Sequence, residues 1–567
     1  MIATATATAT ATTTTTTTSA PRDVRRGDRR LRRPALLLAL MALLAYTYNI
    51  PRGPLANADS HLALTRAIVE GHTLRIDRYA PPDLADRSGY RGHYYTDKDP
   101  GLSLLAVPVY AALRLALPAT FFSATLFFMV RYLLTSAVLG LPAALFVALL
   151  WRFFVPSLGR RRAALLALGY ALGTMAWTFS ALLFSHMIAA MALFGAFMLL
   201  QPCATGELPF DHSRVVGRRA SAWRWAAAGA LCGLAVLCEY PSALVAALLT
   251  LFAAYTALRL SPPNPPRCVK SHRCGDGRGI SGGAGVSPAP GSTPGRARRP
   301  RPQTDNAQIL RERGQGVRAS RAPGAVPRMA LFAGAGLVTL APLVLYNLAV
   351  YGSPLSQGYA HLQGRAQFIG GMRQGVEGIG LPRLDALWGI TFSPYRGLFA
   401  LSPFLLLALP GLFILWRAPS GRPLALLCGG AALVMLLFNS AYYFWDGGVS
   451  LGPRHFGPAL PFLLVPVAAA LRRPRWWRLG RALIVLSIAV VAVCCATVII
   501  FLPLDQGGSP NPIIAVALAR LWSGPALNNW GLLLFGLRGL PSLLPLALGE
   551  ALLALALWRS LVVSTTT

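Results

Sequence analysis

The stretch RRGDRRLRRPALLLALMALLAYTYNI, residues 25–50, decides the fold. Its first part is mostly arginine. From Pro34 to Ile50 the chain carries no charge and is just long enough to cross a bilayer as a helix. Arginines ahead of an apolar run keep that end of a helix in the cytoplasm. A basic stretch, an apolar run and then Ala56-Asn57-Ala58 also describe a cleaved signal peptide. The many apolar runs that follow favour an uncleaved first span.

The rest of the chain repeats the pattern. Of 567 residues, 54% are hydrophobic and only 13% charged, where a soluble domain carries roughly a quarter charged. This excludes a cytosolic enzyme, a disordered protein and a secreted disulfide scaffold. The sequence reads as an all-α, polytopic membrane protein of about 12 transmembrane helices (11–13). A net charge of +33 would suit nucleic acid. The basic residues instead sit in short clusters between apolar runs, as cytoplasmic loops do, so no nucleic-acid partner is expected.

Topology follows from those clusters. The run 100–118 opens with Pro100-Gly101 and is marginal in length. If it lies in the outer interface without crossing, the spans are 34–50, 122–151, 163–181, 184–201, 225–239, 241–259, 329–351, 397–416, 423–442, 457–471, 482–502 and 543–558. Arg160–Arg162, Arg214–Arg224, Arg417, Arg422, Arg472–Arg481 and Arg559 then all fall on one side. Both termini are cytoplasmic in this arrangement, and the membrane is the cytoplasmic (inner or plasma) membrane.

Four regions result. Residues 1–33 form a basic tail without hydrophobic period, expected to be disordered. Residues 34–260 are an N-terminal transmembrane module with an outer loop at 51–121. Residues 261–328, rich in Gly, Pro, Ser and Arg, are a disordered cytoplasmic insertion. Residues 329–567 are a C-terminal module with outer loops 352–396 and 443–456. The eight cysteines draw no disulfide framework, and Cys268, His272 and Cys274 read as chance within the insertion rather than a metal site.

Ionisable residues at helix ends in lipid are functional candidates. Here they gather on the outer side: Asp59 and His61; Asp97, Lys98 and Asp99; His186; Glu239 and Tyr240; His361 and Arg365; Asp446, Arg454 and His455. Carboxylates, imidazoles and cations converging from separate loops suit an anionic substrate. Lys98 stands out because the chain has only one other lysine, Lys270; elsewhere its cations are arginine, and a compact ammonium is not interchangeable with a guanidinium.

The order Asp59-Ser60-His61, then Tyr94-Tyr95-Thr96-Asp97-Lys98-Asp99-Pro100-Gly101, resembles the first outer loop of GT-C fold glycosyltransferases, in particular the family 39 protein mannosyltransferases and the lipid A aminoarabinose transferases. The stretch Trp445–His455, WDGGVSLGPRH, resembles one in uncharacterised bacterial members. The resemblance covers most of the spans but not 1–33 or 261–328. It implies transfer of a sugar from a polyprenyl-phosphate-linked donor to an envelope lipid, glycan or protein acceptor. It implies Asp59 as the catalytic carboxylate, with Lys98, Arg454 and Arg365 on the donor phosphate. Asp97, Glu239, Tyr240 and Asp446 are further site candidates. It also raises one divalent metal ion, with Asp97, His186 and His361 at the matching positions. His186 replaces the acidic residue usual at that helix mouth, which shifts the choice toward a borderline metal such as zinc, or toward none. A polytopic transporter or flippase, and a non-catalytic assembly component, remain alternatives. Charges at helix ends rather than at the bilayer midplane favour the transferase.

Overall fold

The computed structural model describes residues 20–81, 83–123, 125–204, 221–259, 324–364, 366–524 and 528–562. The first helix, α1 (Ala20–Tyr48), begins inside the segment expected to be a disordered tail. Arginine is a good helix former, so the helix of the first span runs back through the basic stretch. The insertion expected at 261–328 lies almost wholly outside the described residues.

Helices dominate everything that follows. The outer loop folds α2 (Ala56–Gly71), a hairpin of β1 (Ser88–Tyr90) and β2 (His93–Tyr95), and α3 (Pro100–Ala116). Then come α4 (Phe127–Thr135) and α5 (Leu141–Leu158), joined by a π-helical turn into one long rod. Next are α6 (Arg160–Leu172), α7 (Ala176–Ser180), α8 (His186–Ala204), α9 (Ala222–Cys238) and α10 (Ser242–Arg259). The second module begins with α11 (Ala325–Tyr351), then short α12 (Ala366–Met372), α13 (Leu384–Thr391) and α14 (Leu398–Leu401). It continues with α15 (Ala408–Arg417), α16 (Arg422–Ala441), and a 3-10 segment Arg454–Leu463 running into α17 (Leu464–Leu471). The chain ends with α18 (Pro474–Thr497), α19 (Ala519–Ser523), α20 (Trp530–Phe535) and α21 (Leu544–Val562).

Among the described residues, eight helical segments are long and apolar enough to cross a membrane. They cover eight of the expected spans. The other four, 163–181, 184–201, 225–239 and 397–416, fall on shorter helices, as does 100–118 on α3. The run 163–181 is broken. At Gly173 the helix stops, and Thr174 donates to the Tyr170 carbonyl at 2.6 Å while accepting from the Ala176 N–H at 3.1 Å, starting α7.

The outward faces are apolar. Leu337, Val338, Leu548 and Leu552 are exposed on α11 and α21, as side chains facing lipid are. The interior is filled by Trp151, Phe154, Phe194, Phe197, Phe404 and Phe462. Gly229 and Gly233, one turn apart on α9, let α11 approach backbone to backbone: a Cβ would sit 1.8 Å from the Phe332 carbonyl oxygen or 2.3 Å from that of Gly336. Small residues at this spacing are a common way to join helices in a membrane. Helix polarity is consistent. Arg224 lies at the start of α9 and Arg422 at the start of α16, while Glu239 and Tyr442 follow their other ends and line one large cavity.

Candidate functional site

That cavity, about 1350 Å³, is built from helix ends and connecting loops. Its wall includes Asp59, Asp86, Lys98, Asp99, His186, Glu239, Asp446, Arg454 and His455, with aromatic rings from Tyr359, Tyr395 and Tyr442–Trp445.

Lys98 is delivered by the hairpin. Arg91 and Gly92 both take positive φ (50° and 82°), the geometry of a tight two-residue hairpin turn. Asp77 holds β2 by accepting from the Tyr94 N–H at 2.8 Å. Ser60 of α2 then meets Thr96 hydroxyl to hydroxyl at 2.7 Å. The Lys98 ammonium lies 2.8 Å from Asp97 and 3.0 Å from Asp86, and 5.5 Å from the Tyr359 ring centre. Burial alone would lower its pKa, but Asp86 and then Asp97 outweigh burial and raise it, so the ammonium stays charged. Asp97 itself does not line the cavity; burial pushes its carboxyl up to about 6 despite Lys98.

Arg454 is the contrasting cation. It is 9% exposed, its guanidinium carbon sits 5.5 Å from the Phe184 ring centre, and its Nε has no partner. Among the described residues no carboxylate pairs with it. Gly447 makes room: at φ +71°, its Cβ would come 2.9 Å from Arg454 Nε. Asp446, which could have paired with Arg454, instead accepts from Tyr395 Oη at 2.8 Å and from the Gly448 N–H at 3.0 Å. The glycine-rich loop is fastened by Arg396, fully buried, which donates to the carbonyls of Asp446, Gly448 and Ser450 at 3.1, 2.6 and 2.9 Å.

Asp59 lines the cavity at the first turn of α2. Both its oxygens are engaged, Oδ1 by Arg131 of α4 at 2.9 Å and Oδ2 by the Leu55 N–H at 2.8 Å. Arg131 was missed in the sequence, although it is the only charged residue between Arg114 and Arg152, a signal in itself. Asp86 was missed too, being one carboxylate among several in a polar loop.

Asp97, His186 and His361 do not come together as a metal set. Asp97 belongs to Lys98. His361 stacks on Tyr351 at 4.8 Å and shares a hydrogen bond with Ser356 at 2.9 Å. His186 meets Glu239 and His455 instead, their ligand atoms all within 4.8 Å of one another. The Glu239 carboxylate also accepts from the Ser185 hydroxyl at 2.5 Å.

The Tyr240 N–H donates to Asp99 at 2.8 Å, and Tyr240 does not line the cavity. Asp99 is raised by burial and by Glu239. His61 meets Ser103 at 3.2 Å, and burial, with Lys98, lowers it to about 3, so it is neutral. Arg365 lies outside the described residues.

No family model matches the chain, and no curated protein does. Among solved structures it is similar to ArnT from Cupriavidus metallidurans bound to undecaprenyl phosphate, with 16% identity and a TM-score of 0.42 over 96% of this chain and 78% of that one. It is similar also to the Archaeoglobus fulgidus oligosaccharyltransferase in its apo form, with 12% identity and a TM-score of 0.39 over 81% of this chain and 54% of that one. A third is the archaeal oligosaccharyltransferase AglB from the same organism, in complex with an inhibitory peptide and a dolichol-phosphate, with 12% identity and a TM-score of 0.39. There the shares are 83% and 55%, so this chain spans little more than half the length of the oligosaccharyltransferases it matches.

Proposed function

We propose that the protein is a glycosyltransferase moving a sugar from a polyprenyl-phosphate-linked donor to an envelope lipid, glycan or protein acceptor at the outer face of the cytoplasmic membrane. The observation that carries this reading is Arg454: a guanidinium almost buried, without a counter-ion among the described residues, on the wall of a cavity large enough for a sugar phosphate. An uncompensated buried cation is costly unless an anion joins it, and a phosphate is the anion whose geometry a guanidinium fits. Lys98 lies on the same wall with an N–H to spare beyond its two carboxylates. Aromatic side chains supply flat apolar faces for a sugar ring, and the motifs of the outer loop resemble those of GT-C enzymes.

The chemistry follows from these groups. As the glycosidic bond to phosphate breaks, negative charge grows on the leaving oxygen, and Arg454 and Lys98 stabilise it. The sugar gains oxocarbenium character, which Asp86 is placed to offset from beside Lys98. Asp59, paired with Arg131, takes the proton of the attacking hydroxyl. The cavity faces outward because the arginine clusters lie at the other ends of the helices. A donor already flipped in the lipid is therefore required.

The test is binding of undecaprenyl phosphate to purified protein in nanodiscs. Removing a charged hydrogen-bond partner costs about 1.5–3 kcal/mol, so Arg454→Gln is expected to weaken binding roughly 10–100-fold. Equal binding by wild type and Arg454→Gln would remove Arg454 from the donor site.

A further inference from the structure

His186, Glu239 and His455 come from three separate elements: the first residue of α8, the C-cap of α9, and the 3-10 segment after the glycine-rich loop. Their ligand atoms lie within 4.8 Å of one another. His186 and Glu239 are buried, at 3% and 8% exposure. Each histidine keeps a ring nitrogen unengaged: His186 Nδ1 pairs with Glu239 Oε2 at 2.9 Å, but neither the Nε2 of His186 nor that of His455 has a hydrogen-bond partner. Buried polar atoms in native proteins are nearly always satisfied, and a ligand-binding role is one standard reason for an exception.

The surroundings fit a metal. The His186 ring is fixed edge-on by Phe179, its centroid 5.6 Å away, and by His455 at the same distance; Tyr442 holds His455 at 5.5 Å. Gly457 lets the chain bearing His455 close on His186, since a Cβ there would stand 3.2 Å from the Cβ of His186. The Ser185 hydroxyl donates to the Glu239 carboxylate, the outer hydrogen bond that orients a ligating group.

We propose that His186, Glu239 and His455 bind one divalent transition-metal ion of the zinc class, on the cavity wall. Two imidazoles and one carboxylate are a borderline donor set that prefers zinc to magnesium or calcium. Three protein ligands leave a fourth position open, and all three residues line the cavity. The site stands on its own geometry. Only the further assignment of a donor phosphate oxygen to the fourth position rests on the transferase reading.

The experiment uses full-length protein in nanodiscs, stripped with a chelator and then titrated with zinc or with cobalt(II), whose visible absorbance reports tetrahedral ligation. One ion per chain is expected. Loss of an outer partner alone costs a metal site about 10–100-fold, so Glu239→Gln, His186→Ala and His455→Ala should each weaken binding by more than about tenfold. The metal-free variants should melt like metal-free wild type, and added zinc should raise the melting temperature of wild type only. A Cys268→Ser, Cys274→Ser double variant, altering the other His/Cys candidate, should keep the ion. No retained ion, or an ion lost from the cysteine variant and kept by the three others, would overturn the proposal. Undecaprenyl phosphate should shift the cobalt spectrum. An unshifted spectrum leaves the metal site standing and refutes the phosphate as fourth ligand.

Discussion

At the residue scale, the two cations differ in how their charge is balanced. Lys98 is shared by two carboxylates, and Arg454 by none among the described residues. This gives a pH dependence. Burial raises the Asp97 carboxyl from 3.8 to about 6, so the group gains a proton as pH falls through about 6 and is ionised above it. Below that point Lys98 keeps one fewer counter-ion and attracts a phosphate more strongly. The Michaelis constant for a lipid-phosphate donor should therefore fall between pH 7.5 and 5.5, and Asp97→Asn should hold it low across the whole range. A dependence that survives unchanged in Asp97→Asn would assign it to another group. Asp59 and Arg131 call for a different comparison. If the carboxylate takes a proton in the reaction, Asp59→Asn lowers kcat by roughly 10²–10⁴-fold, while Arg131→Lys, which keeps a cation, retains most of it. Equal losses in both, together with a lowered melting temperature, would show that the pair merely ties α2 to α4.

At the element scale, the loop after α16 is the part most sensitive to shape. Gly447→Ala places a methyl 2.9 Å from Arg454 Nε at a backbone angle that disfavours alanine. Lipid-phosphate binding should fall at least severalfold with little change in helix content; unchanged binding would mean that the loop can move without carrying Arg454. Arg396→Met would strand the carbonyls that Arg396 now satisfies, at about 1–3 kcal/mol for a buried acceptor left unpaired, read as a lower melting temperature. Eight of the twelve expected spans were legible in the sequence, among the described residues, because a run of about 20 largely uncharged residues has few folded alternatives in lipid. The cluster of His186, Glu239 and His455 was not. Each member was visible at a helix end, but which ends meet depends on α8, α9 and the 3-10 segment packing side by side, and no periodicity encodes that. The break at Gly173 was equally hidden, since Gly173-Thr174 lies within an apolar run and its local hydrogen bonds, not its hydropathy, end the helix.

At the scale of the whole molecule, the arginine clusters and the cavity lie at opposite ends of the helices, which predicts an orientation. Cysteines placed at Gly53, exposed beside the cavity, and at Ser420, exposed between α15 and α16, test it. In intact cells an impermeant maleimide should label Gly53→Cys and reach Ser420→Cys only after permeabilisation. The reverse pattern would turn the protein over and put a flipped donor out of reach. The most direct test is transfer of radiolabelled sugar from a panel of synthetic polyprenyl-phospho-sugars to extracted envelope acceptors, with wild type and Asp59→Asn side by side in nanodiscs. Transfer or donor hydrolysis by wild type, lost in Asp59→Asn with folding intact, is the predicted result. Donor bound by wild type but never turned over, with any donor in the panel, would contradict the account.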